Sequence, residues 1–370
     1  MSATKETRFP CQSCGADLRF APGTEHLVCE HCGAENKLPE GTEPRKSGRF
    51  LHENDYEAAI SGGLSGLETQ ETRFTKCDNC GAEIEFSGDT HATECAFCAA
   101  PLVTDTGTHR LIKPAALLPF QLDERSARKA MTDWLGRLWF APNGLQDYAR
   151  KGRAMNGIYT PFWTYDADTK SQYRGQRGDA YYETRTVTVQ EDGKSVQRQE
   201  QVRKIRWSNR TGRVARFFDD VLILATRSLP KAYTDALEPW DLSALVPYQP
   251  DYLAGFRAEG YTVTLEDGYG EARAYMDQII DRDVRSDIGG DEQRVENINT
   301  VISDITFKHI LLPVWTAVYK YRGKTYRFVV NGQTGSVKGE RPWSWIKITI
   351  AVIVAAIIAG IVGYFLSQNQ

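Results

Sequence analysis

The motifs of common catalytic sites are missing from this chain of 370 residues. The sequence has no G-x-x-x-x-G-K-[ST] phosphate-binding loop, no G-x-S-x-G nucleophile elbow and no H-E-x-x-H zinc-protease motif. His309 is the only histidine after residue 110, so a histidine base has a single candidate in most of the chain. We therefore predict that the protein is not an enzyme. The net charge of −3 favours neither nucleic acid nor an acidic substrate as partner.

Two further absences concern the compartment and the use of cysteine. The N-terminus has no apolar segment of the kind found in secretory signals, so we expect it to stay in the cytosol. No cysteine occurs after Cys98. Because cytosolic thiols are kept reduced, paired cysteines there bind metal more often than they form disulfides. The distribution predicts a cysteine-dependent N-terminal part and an independent remainder.

The eight cysteines form two copies of one pattern. Each copy reads C-x2-C, fourteen residues, C-x2-C, and the second copy is the first displaced by 66 positions. The predicted zinc ligands are Cys11, Cys14, Cys29 and Cys32 in the first copy, and Cys77, Cys80, Cys95 and Cys98 in the second. Four converging thiolates make a tetrahedral site for Zn²⁺. Gly15, Gly33 and Gly81 each follow a cysteine, where the turn favours positive φ. We predict two zinc ribbons with one structural Zn²⁺ each.

The alternatives to zinc are small disulfide-stapled units or redox C-x-x-C pairs, which the regular spacing and the missing signal disfavour. A closed site of four cysteines leaves no open position for chemistry. Residues 1–40 hold four Lys or Arg against six Asp or Glu, and residues 71–105 hold two against seven. Because a phosphate-binding surface is normally basic, these acidic ribbons favour a protein partner.

The C-terminal segment is uniformly apolar. Residues 348–366 carry no charge and as a helix would be about 28 Å long, close to the hydrocarbon thickness of a bilayer. The flanking residues typical of a membrane interface are Trp343, Trp345, Lys347 and Tyr364. We predict a single-pass transmembrane helix over 346–366 in the cytoplasmic (inner) membrane. The positive-inside rule places the N-terminal body in the cytosol. A buried core helix is the alternative.

The predicted fold class is two small four-cysteine zinc ribbons followed by a β-rich α+β body and one transmembrane helix. The predicted parts are ribbons at 1–40 and 73–105, a linker at 41–72, a helical connector at 110–155 and a body at 156–340. We expect helices near 55–60, at 123–140 with Asp123 as N-cap, and at 231–246 and 270–284. We expect strands at 158–165, 181–190, 196–207, 221–226, 261–265, 310–321 and 326–330. The phrase Pro161-Phe162-Trp163-Thr164 recurs as Pro313-Val314-Trp315-Thr316, which leaves open whether the body is one domain or two related units.

One stretch of the body is basic. Between residues 201 and 217 there is no acidic residue, and six positions are cationic: Arg203, Lys204, Arg206, Arg210, Arg213 and Arg216. One interpretation of the stretch is the solvated face of a hairpin. The other is contact with an anionic surface, for which lipid headgroups are favoured over RNA.

Several phrases carry a resemblance to a known family. They include Tyr159-Thr160-Pro161-Phe162-Trp163-Thr164-Tyr165-Asp166, Phe218-Asp219-Asp220-Val221-Leu222 and Lys308-His309-Ile310-Leu311-Leu312-Pro313-Val314-Trp315. Together with the paired cysteines, they resemble bacterial tail-anchored double-zinc-ribbon membrane proteins, which are often labelled primosomal protein N′ (replication factor Y) or superfamily II helicase. Because the motor motifs are missing, helicase activity is not expected. The resemblance implies association with SPFH (flotillin-like) or phage-shock-type membrane stress proteins.

The resulting prediction is a non-enzymatic membrane adaptor whose ribbons and β-rich body dock cytosolic or membrane proteins in membrane stress or organisation. The alternative is a membrane-tethered nucleic-acid-binding protein without motor motifs, which the paired ribbons and the basic stretch favour.

Overall fold

The computed structural model describes residues 9–38, 53–62, 67–79, 81–85, 92–95, 97, 100–103, 107–143, 145, 155–191, 194–322 and 324–368. Over these residues the chain is a β-rich α+β protein, with a cysteine cluster near the N-terminus and one apolar C-terminal helix, as predicted. The helices are α1 Tyr56–Ser61, α2 Glu124–Gly136, α3 Lys231–Thr234, α4 Leu265–Ile288 and α5 Trp345–Gln368. Short 3-10 turns cover Asp235–Leu237, Leu242–Ala244 and Pro250–Leu253.

The strands divide into short ones around the cysteines and long ones in the body. The short N-terminal strands are β1 Leu18–Phe20, β2 His26–Cys29, β3 Glu35–Lys37, β4 Asn54–Asp55, β5 Thr69–Lys76, β6 Glu83–Glu85, β7 Ala92–Glu94, β8 Pro101–Val103 and β9 Gly107–Ile112. The body strands are β10 Ala116–Leu117, β11 Asn156–Glu191, β12 Lys194–Leu224, β13 Val246–Pro247, β14 Arg257–Ala258, β15 Glu292–Tyr321, β16 Lys324–Asn331 and β17 Val337–Gly339.

Three long antiparallel strands form the frame of a nine-stranded sheet, with β11 between β12 and β15. Strand β15 pairs with β11 from Thr316 opposite Asn156 to Glu292 opposite Gly178. Beyond Gly178, β11 and β12 continue as a two-stranded hairpin. The short body strands and β4 attach at the opposite end of this long ribbon, which we call its base. The base is therefore the thick part of the molecule, and the hairpin is its thin extension.

The predicted strands at 310–321 and 326–330 lie on β15 and β16, but four other predicted body strands had wrong boundaries because they are parts of two continuous strands. The predictions at 158–165 and 181–190 fall on the single strand β11, and those at 196–207 and 221–226 fall on β12. The intervening residues include Asp168, Gly175 and Gly178, which have low strand propensity. Pairing with neighbours on both sides outweighs that local preference, because each residue of β11 between 168 and 178 lies inside two ladders.

The helix predictions were correct in kind but not in extent. Asp123 caps α2 as expected, accepting a hydrogen bond from Ser126 N at 2.8 Å. Helix α2 ends at Gly136, so Trp139 lies beyond it and is 77% exposed rather than on the buried face. The predicted strand at 261–265 instead leads into α4, whose N-cap is Thr264. The predicted helix at 231–246 is a short helix followed by 3-10 turns, because Pro239 interrupts the helical pattern.

The repeated Pro-x-Trp-Thr phrase has a structural counterpart. Its two copies lie on the adjacent strands β11 and β15, with Pro161 opposite Leu311 and Pro313 opposite Tyr159. Trp163 donates its indole N–H to the carbonyl of Val263, the residue before the N-cap of α4. Trp315 donates in the same way to Leu122, the residue before the N-cap of α2. Each copy thus fixes the start of one helix, and both belong to one sheet.

Helix α4 covers one face of the long strands. Its buried residues recur at helical spacing and include Ala272, Met276, Ile280 and Val284. Gly268 allows the closest approach, because a Cβ there would lie 2.6 Å from the Tyr165 hydroxyl and 2.8 Å from the Trp163 ring. The opposite face is buried at the base but exposed from Asp168 outward along alternate residues of β11.

Both cysteine-bearing parts attach at the base of the sheet. In the first, Phe20 N donates to Ala254 O at 2.9 Å, and the Phe20 ring lies 5.0 Å from the ring of Tyr252. In the second, Glu83 O accepts from Gly260 N at 3.1 Å. The base therefore collects the cysteine units, α2 and the start of α5 in one region.

Candidate metal centre and membrane helix

The first cysteine quartet forms a compact cluster of four sulfurs. The Sγ atoms of Cys11, Cys14, Cys29 and Cys32 all lie within 4.8 Å of one another. Cys11 Sγ is 3.6 Å from Cys32 Sγ, and Cys14 Sγ is 3.5 Å from Cys29 Sγ. Zn–S bonds of about 2.3 Å in a tetrahedron place the sulfurs about 3.8 Å apart. The cluster therefore has the size and donor set of a structural metal site with no position left open.

The backbone explains why the sulfurs converge. In each pair, the first cysteine N–H donates to an alanine five residues later: Cys11 to Ala16 at 2.7 Å and Cys29 to Ala34 at 3.0 Å. Its carbonyl accepts from the glycine after the second cysteine, at 2.8 Å in both pairs. Closing this tight turn requires positive φ at that glycine, and Gly15 has φ +77° and Gly33 φ +73°, as predicted.

The sulfurs affect one another's protonation. Backbone N–H groups of Ser13 and Cys14 donate to the Cys11 sulfur and lower the pKa of that thiol to about 6. The N–H of Cys32 likewise lowers the pKa of Cys29. Although the N–H of Ala34 favours the Cys32 thiolate, the nearby sulfurs of Cys14 and Cys29 raise the pKa of Cys32 to about 12. Four thiolates at this spacing therefore need a cation among them, which Zn²⁺ would supply.

The second quartet is only partly within the described residues. Cys77 and Cys95 are buried, whereas Cys80 and Cys98 lie outside the described part of the chain. Cys77 N donates to Ala82 O and Cys95 N to Ala100 O, both at 2.8 Å, and Gly81 has φ +76°. Strand β7 pairs with β8 in the same register as β2 with β3, displaced by 66 residues. The backbone repeats as the sequence does, and the second metal site stays a prediction. None of the six described cysteines forms a disulfide.

Helix α5 is long and apolar enough to cross a membrane. The span of 22 residues, Trp345–Leu366, has a mean hydropathy of 2.6 and no share of it is buried against the protein. Among the described residues it is the only helix with these properties. A core helix would be covered by other elements, so the exposure of this apolar segment favours a membrane span over a buried helix.

The predicted flanking residues lie at the two ends of this helix. Trp343, Trp345 and Tyr364 are exposed. Lys347 is half-buried and contacts the body, because its Nζ donates a hydrogen bond to Ala141 O at 2.8 Å. The guanidinium of Arg341 lies 4.2 Å from the centre of the Trp343 ring.

The basic stretch of β12 is divided between two faces of the ribbon. Alternation places Arg203 and Arg213 opposite β11 residues that point away from α4. Lys204, Arg206, Arg210 and Arg216 occupy the alternate positions, on the α4 side. Acidic partners neutralise three of the six: Arg203 pairs with Glu292, Lys204 with Glu183 and Arg216 with Asp283. The stretch is therefore not one continuous cationic surface.

A buried ionic cluster at the base was not singled out from the sequence. Lys308 Nζ lies 2.8 Å from Glu53 Oε1, 2.8 Å from Asp220 Oδ1 and 3.8 Å from Asp166 Oδ2, with only 4% of its side chain exposed. Asp166 Oδ1 also accepts from Asp220 N at 2.7 Å. All but Glu53 belong to the phrases that carry the family resemblance. That overlap was the one available signal, because nothing in the local sequence shows that these four positions meet.

The cluster lies at the point where one face of β11 changes from buried to exposed. Both neighbours of β11 bulge beside Asp166, and the bulges contain Asp220 at φ +51° and Asp304 at φ +54°. Burial raises the pKa of Asp166 to about 7. Although burial alone would lower the pKa of Lys308, the contacts with Asp220 and Glu53 raise it. One lysine thus balances part of the charge of three carboxylates at the end of the buried face.

Two buried titratable residues, Glu259 and His309, line a small cavity of about 30 Å³ at the base. His309 Nδ1 lies 2.8 Å from Ile112 O, and Thr226 donates to Glu259 Oε1 at 2.7 Å. Burial lowers the pKa of His309 to about 4 and raises the pKa of Glu259 to about 8. Pockets for organic substrates have volumes of at least about 300 Å³. The cavity therefore gives no support for an active site around His309.

The comparisons with known proteins leave the family open. No protein-family model and no solved structure matches the chain. The chain is 28% identical over 255 residues to the uncharacterized protein YdjG of Bacillus subtilis (strain 168). The match covers 68% of this chain and 69% of the Bacillus protein.

Proposed function

We propose that this protein is a membrane-anchored adaptor without catalytic activity, in which α5 crosses the cytoplasmic membrane and two structural Zn²⁺ ions hold cytosolic ribbons that dock other proteins. The observation that carries the proposal is the uncovered apolar span Trp345–Leu366, attached directly to a folded body. Lys338 and Arg341 precede that span and Lys347 lies in its first turn, whereas residues 367–370 carry no charge. By the positive-inside rule the body then lies on the cytosolic side.

The docking part of the proposal rests on the first cysteine unit. A metal ion bound by all four sulfurs of its cluster would have no open position, which suits a structural role rather than catalysis. Around the cluster the exposed acidic side chains are Asp17, Glu25, Glu30 and Glu35. Arg19 is paired with Glu30, so Lys37 alone adds further exposed positive charge within residues 9–38. The surface is negative, and it fits a basic protein surface better than a phosphate backbone.

The partners we propose are SPFH (flotillin-like) or phage-shock-type membrane stress proteins, following the resemblance in the cysteine repeat and body phrases. The direct test is mass spectrometry of proteins that copurify with the full-length chain from nuclease-treated, detergent-solubilised membranes. The matched controls are Cys11→Ser/Cys14→Ser and Cys77→Ser/Cys80→Ser, which remove one proposed ribbon each. Stress proteins that disappear from one control locate docking on that ribbon. The same proteins recovered equally from both controls would remove the ribbons from the proposal.

The anchor is tested separately. Full-length protein is expected to stay with membranes after alkaline carbonate washing, whereas protein ending at residue 344 is expected in the supernatant. Protease added to the cytosolic side should digest the body, and protease added to the other side should leave it intact. Release of the full-length chain by carbonate would contradict a transmembrane helix.

A second candidate function is binding of nucleic acid at the membrane. The ribbon face away from α4 carries Lys170, Arg174, Arg203, Arg213 and Arg294. Arg294 lies 3.8 Å from the centre of the Trp207 ring, so a cation and an aromatic ring occupy the same face. Binding to single-stranded DNA should then weaken steeply with salt and fall with Arg213→Ala. No binding at low salt would remove this candidate.

A further inference from the structure

The turn after α2 lies against the first turn of α5. Ser344 N donates to Phe140 O at 2.8 Å, and Lys347 Nζ donates to Ala141 O at 2.8 Å. The Phe140 ring lies 6.4 Å from the ring of Trp343. Three contacts therefore join residues 140–141 to the point where the apolar span begins.

Trp139, the residue before Phe140 in this turn, is 77% exposed. Consecutive hydrogen bonds from Leu138 N to Leu135 O, Trp139 N to Arg137 O and Ala141 N to Leu138 O fix the backbone of the turn. Trp345 is exposed to a similar degree, 78%, and Trp343 to 54%. The contacts at residues 140–141 bring Trp139 to the same region as Trp343 and Trp345, and several exposed aromatic rings in one region mark a surface that another environment covers.

We propose that the turn 137–141 is a second membrane contact, with Trp139 in the lipid headgroup layer beside Trp343 and Trp345. The inference rests on the proposed function, because it requires α5 to lie in the bilayer. Tryptophan favours the interface, where its ring is partly buried and its N–H can reach polar groups. Exposed Arg137 and half-buried Arg341 add positive charge that suits anionic headgroups.

The second contact restricts the orientation of the body relative to the membrane. A single helix would leave the body free to swivel about its junction with the membrane. Contacts at Phe140 and Ala141 join the junction to α2, which packs on β16 and β17 of the sheet. With Trp139 in the headgroups, the base of the sheet faces the membrane at two points, and the body cannot tilt freely.

The test uses full-length protein labelled with 5-fluorotryptophan in nanodiscs of phosphatidylcholine and phosphatidylglycerol, with and without a headgroup spin-labelled lipid. The chain has eight tryptophans, and substitution to Phe assigns the ¹⁹F resonance of each one tested. The informative variants are Trp139→Phe, Trp343→Phe and Trp345→Phe. Trp163→Phe is the control, because Trp163 is fully buried in the body.

We expect the resonances of Trp139, Trp343 and Trp345 to be broadened together by the spin label, well beyond that of Trp163. Broadening of Trp343 and Trp345 with Trp139 no more affected than Trp163 would overturn the second contact and leave the anchor intact. If none of the three is broadened, α5 is not in the bilayer, and the proposed anchor fails together with the inference.

Discussion

The first cysteine unit and the β-rich body are stabilised in different ways. Within residues 9–38 the buried apolar side chains other than cysteine are Leu18, Phe20, Leu27 and Leu38, too few for a core. The body instead buries large aromatic residues such as Tyr159, Trp163 and Tyr165 under α4 and the base strands. Units below about 40 residues usually need metal or disulfides to fold, whereas a domain of the body's size does not. One end of the chain therefore has the small core and the four-cysteine donor set typical of a metal-dependent unit, whereas the body is stabilised by packing.

The same contrast recurs inside the body. At the base both faces of the sheet are covered, and a buried lysine balances three carboxylates. Past Gly178 no strand or helix among the described residues covers the hairpin, and residues 181–188 are exposed or half-buried. Two-stranded hairpins alone are only marginally stable in water. Packing around the strands therefore decreases along the ribbon from base to hairpin.

Metal removal should give the largest effect and would test the comparison most directly. Purified full-length protein is expected to carry two Zn²⁺, and Cys11→Ser/Cys14→Ser should reduce this to one. Structural zinc contributes about 10–16 kcal/mol to folding of its own unit. Elemental analysis by mass spectrometry gives the count, and near-ultraviolet circular dichroism should show the aromatic core of the body unchanged.

The matched variant Cys77→Ser/Cys80→Ser should also leave one Zn²⁺, and the four substitutions together none. A full complement of zinc in either double variant would contradict the assignment. Loss of the near-ultraviolet signal along with the metal would mean that folding of the body also depends on the metal.

Lys308→Met should have the next largest effect. The substitution leaves the carboxylates of Glu53, Asp166 and Asp220 without their cation in a buried site. Breaking a buried ion pair by removing one partner costs about 3–5 kcal/mol. The control is Lys113→Met, because the Lys113–Glu68 pair is exposed and such pairs contribute about 1 kcal/mol or less. Urea unfolding in detergent, followed by tryptophan fluorescence, measures both; equal losses would mean that the buried cluster does not stabilise the base.

Packing of α4 on the ribbon can be tested with two glycines of that helix. Gly268→Ala should destabilise by about 1–3 kcal/mol, because its Cβ would overlap Tyr165 and Trp163. Gly270→Ala, two residues later, has open space and should stabilise by about 0.5–1 kcal/mol. Thermal unfolding of the two variants in the same detergent should therefore shift in opposite directions. A shift of the same sign in both would mean that α4 does not approach the ribbon so closely.

The smallest effect per measured step, one pH unit, concerns the protonation of Asp166. Because the pKa of Asp166 is raised in the folded protein to about 7, the folded state holds this proton more tightly than the unfolded state does. Its contribution to stability is complete at pH below about 4 and is lost as the pH rises to 7, by about 1.4 kcal/mol per pH unit at most. Asp166→Asn can still accept from Asp220 N and should remove this slope. Unfolding free energies at pH 5, 6 and 7 measure it; a slope unchanged in the variant would locate the titration elsewhere.

Sequence reasoning succeeded where the signal is local. The C-x2-C spacing and the following glycine describe a turn of a few residues, so the convergence of Cys11, Cys14, Cys29 and Cys32 could be predicted. Asp123 as N-cap of α2 was predictable for the same reason. The long strands were divided wrongly because the polar and glycine residues at 166–180 have low strand propensity, and only pairing with β12 and β15 keeps them extended.

The buried cluster could not be predicted, because its members come from four distant segments. Glu53 reaches Lys308 through pairing of β4 with β15, and Asp220 reaches it through a bulge in β12. Periodicity treats each of these residues as an ordinary charged position on a strand or in a linker. Their desolvation, and the resulting pKa shifts, exist only after the strands have been brought side by side.

The sequence by itself determined the donor set and turn geometry of the first metal centre and the length and apolarity of α5, since both depend on residues close together in the chain. Tertiary structure decided which way each cation of β12 points, how the repeated Trp163 and Trp315 contact the starts of two helices, and which aromatic residues lie near the start of α5. Trp139 illustrates the difference: its spacing suggested a buried helical face, but α2 ends at Gly136, and the turn that follows leaves the ring exposed near the start of α5. Helix termination and long-range contacts depend on competing interactions across the whole fold, which no local pattern contains.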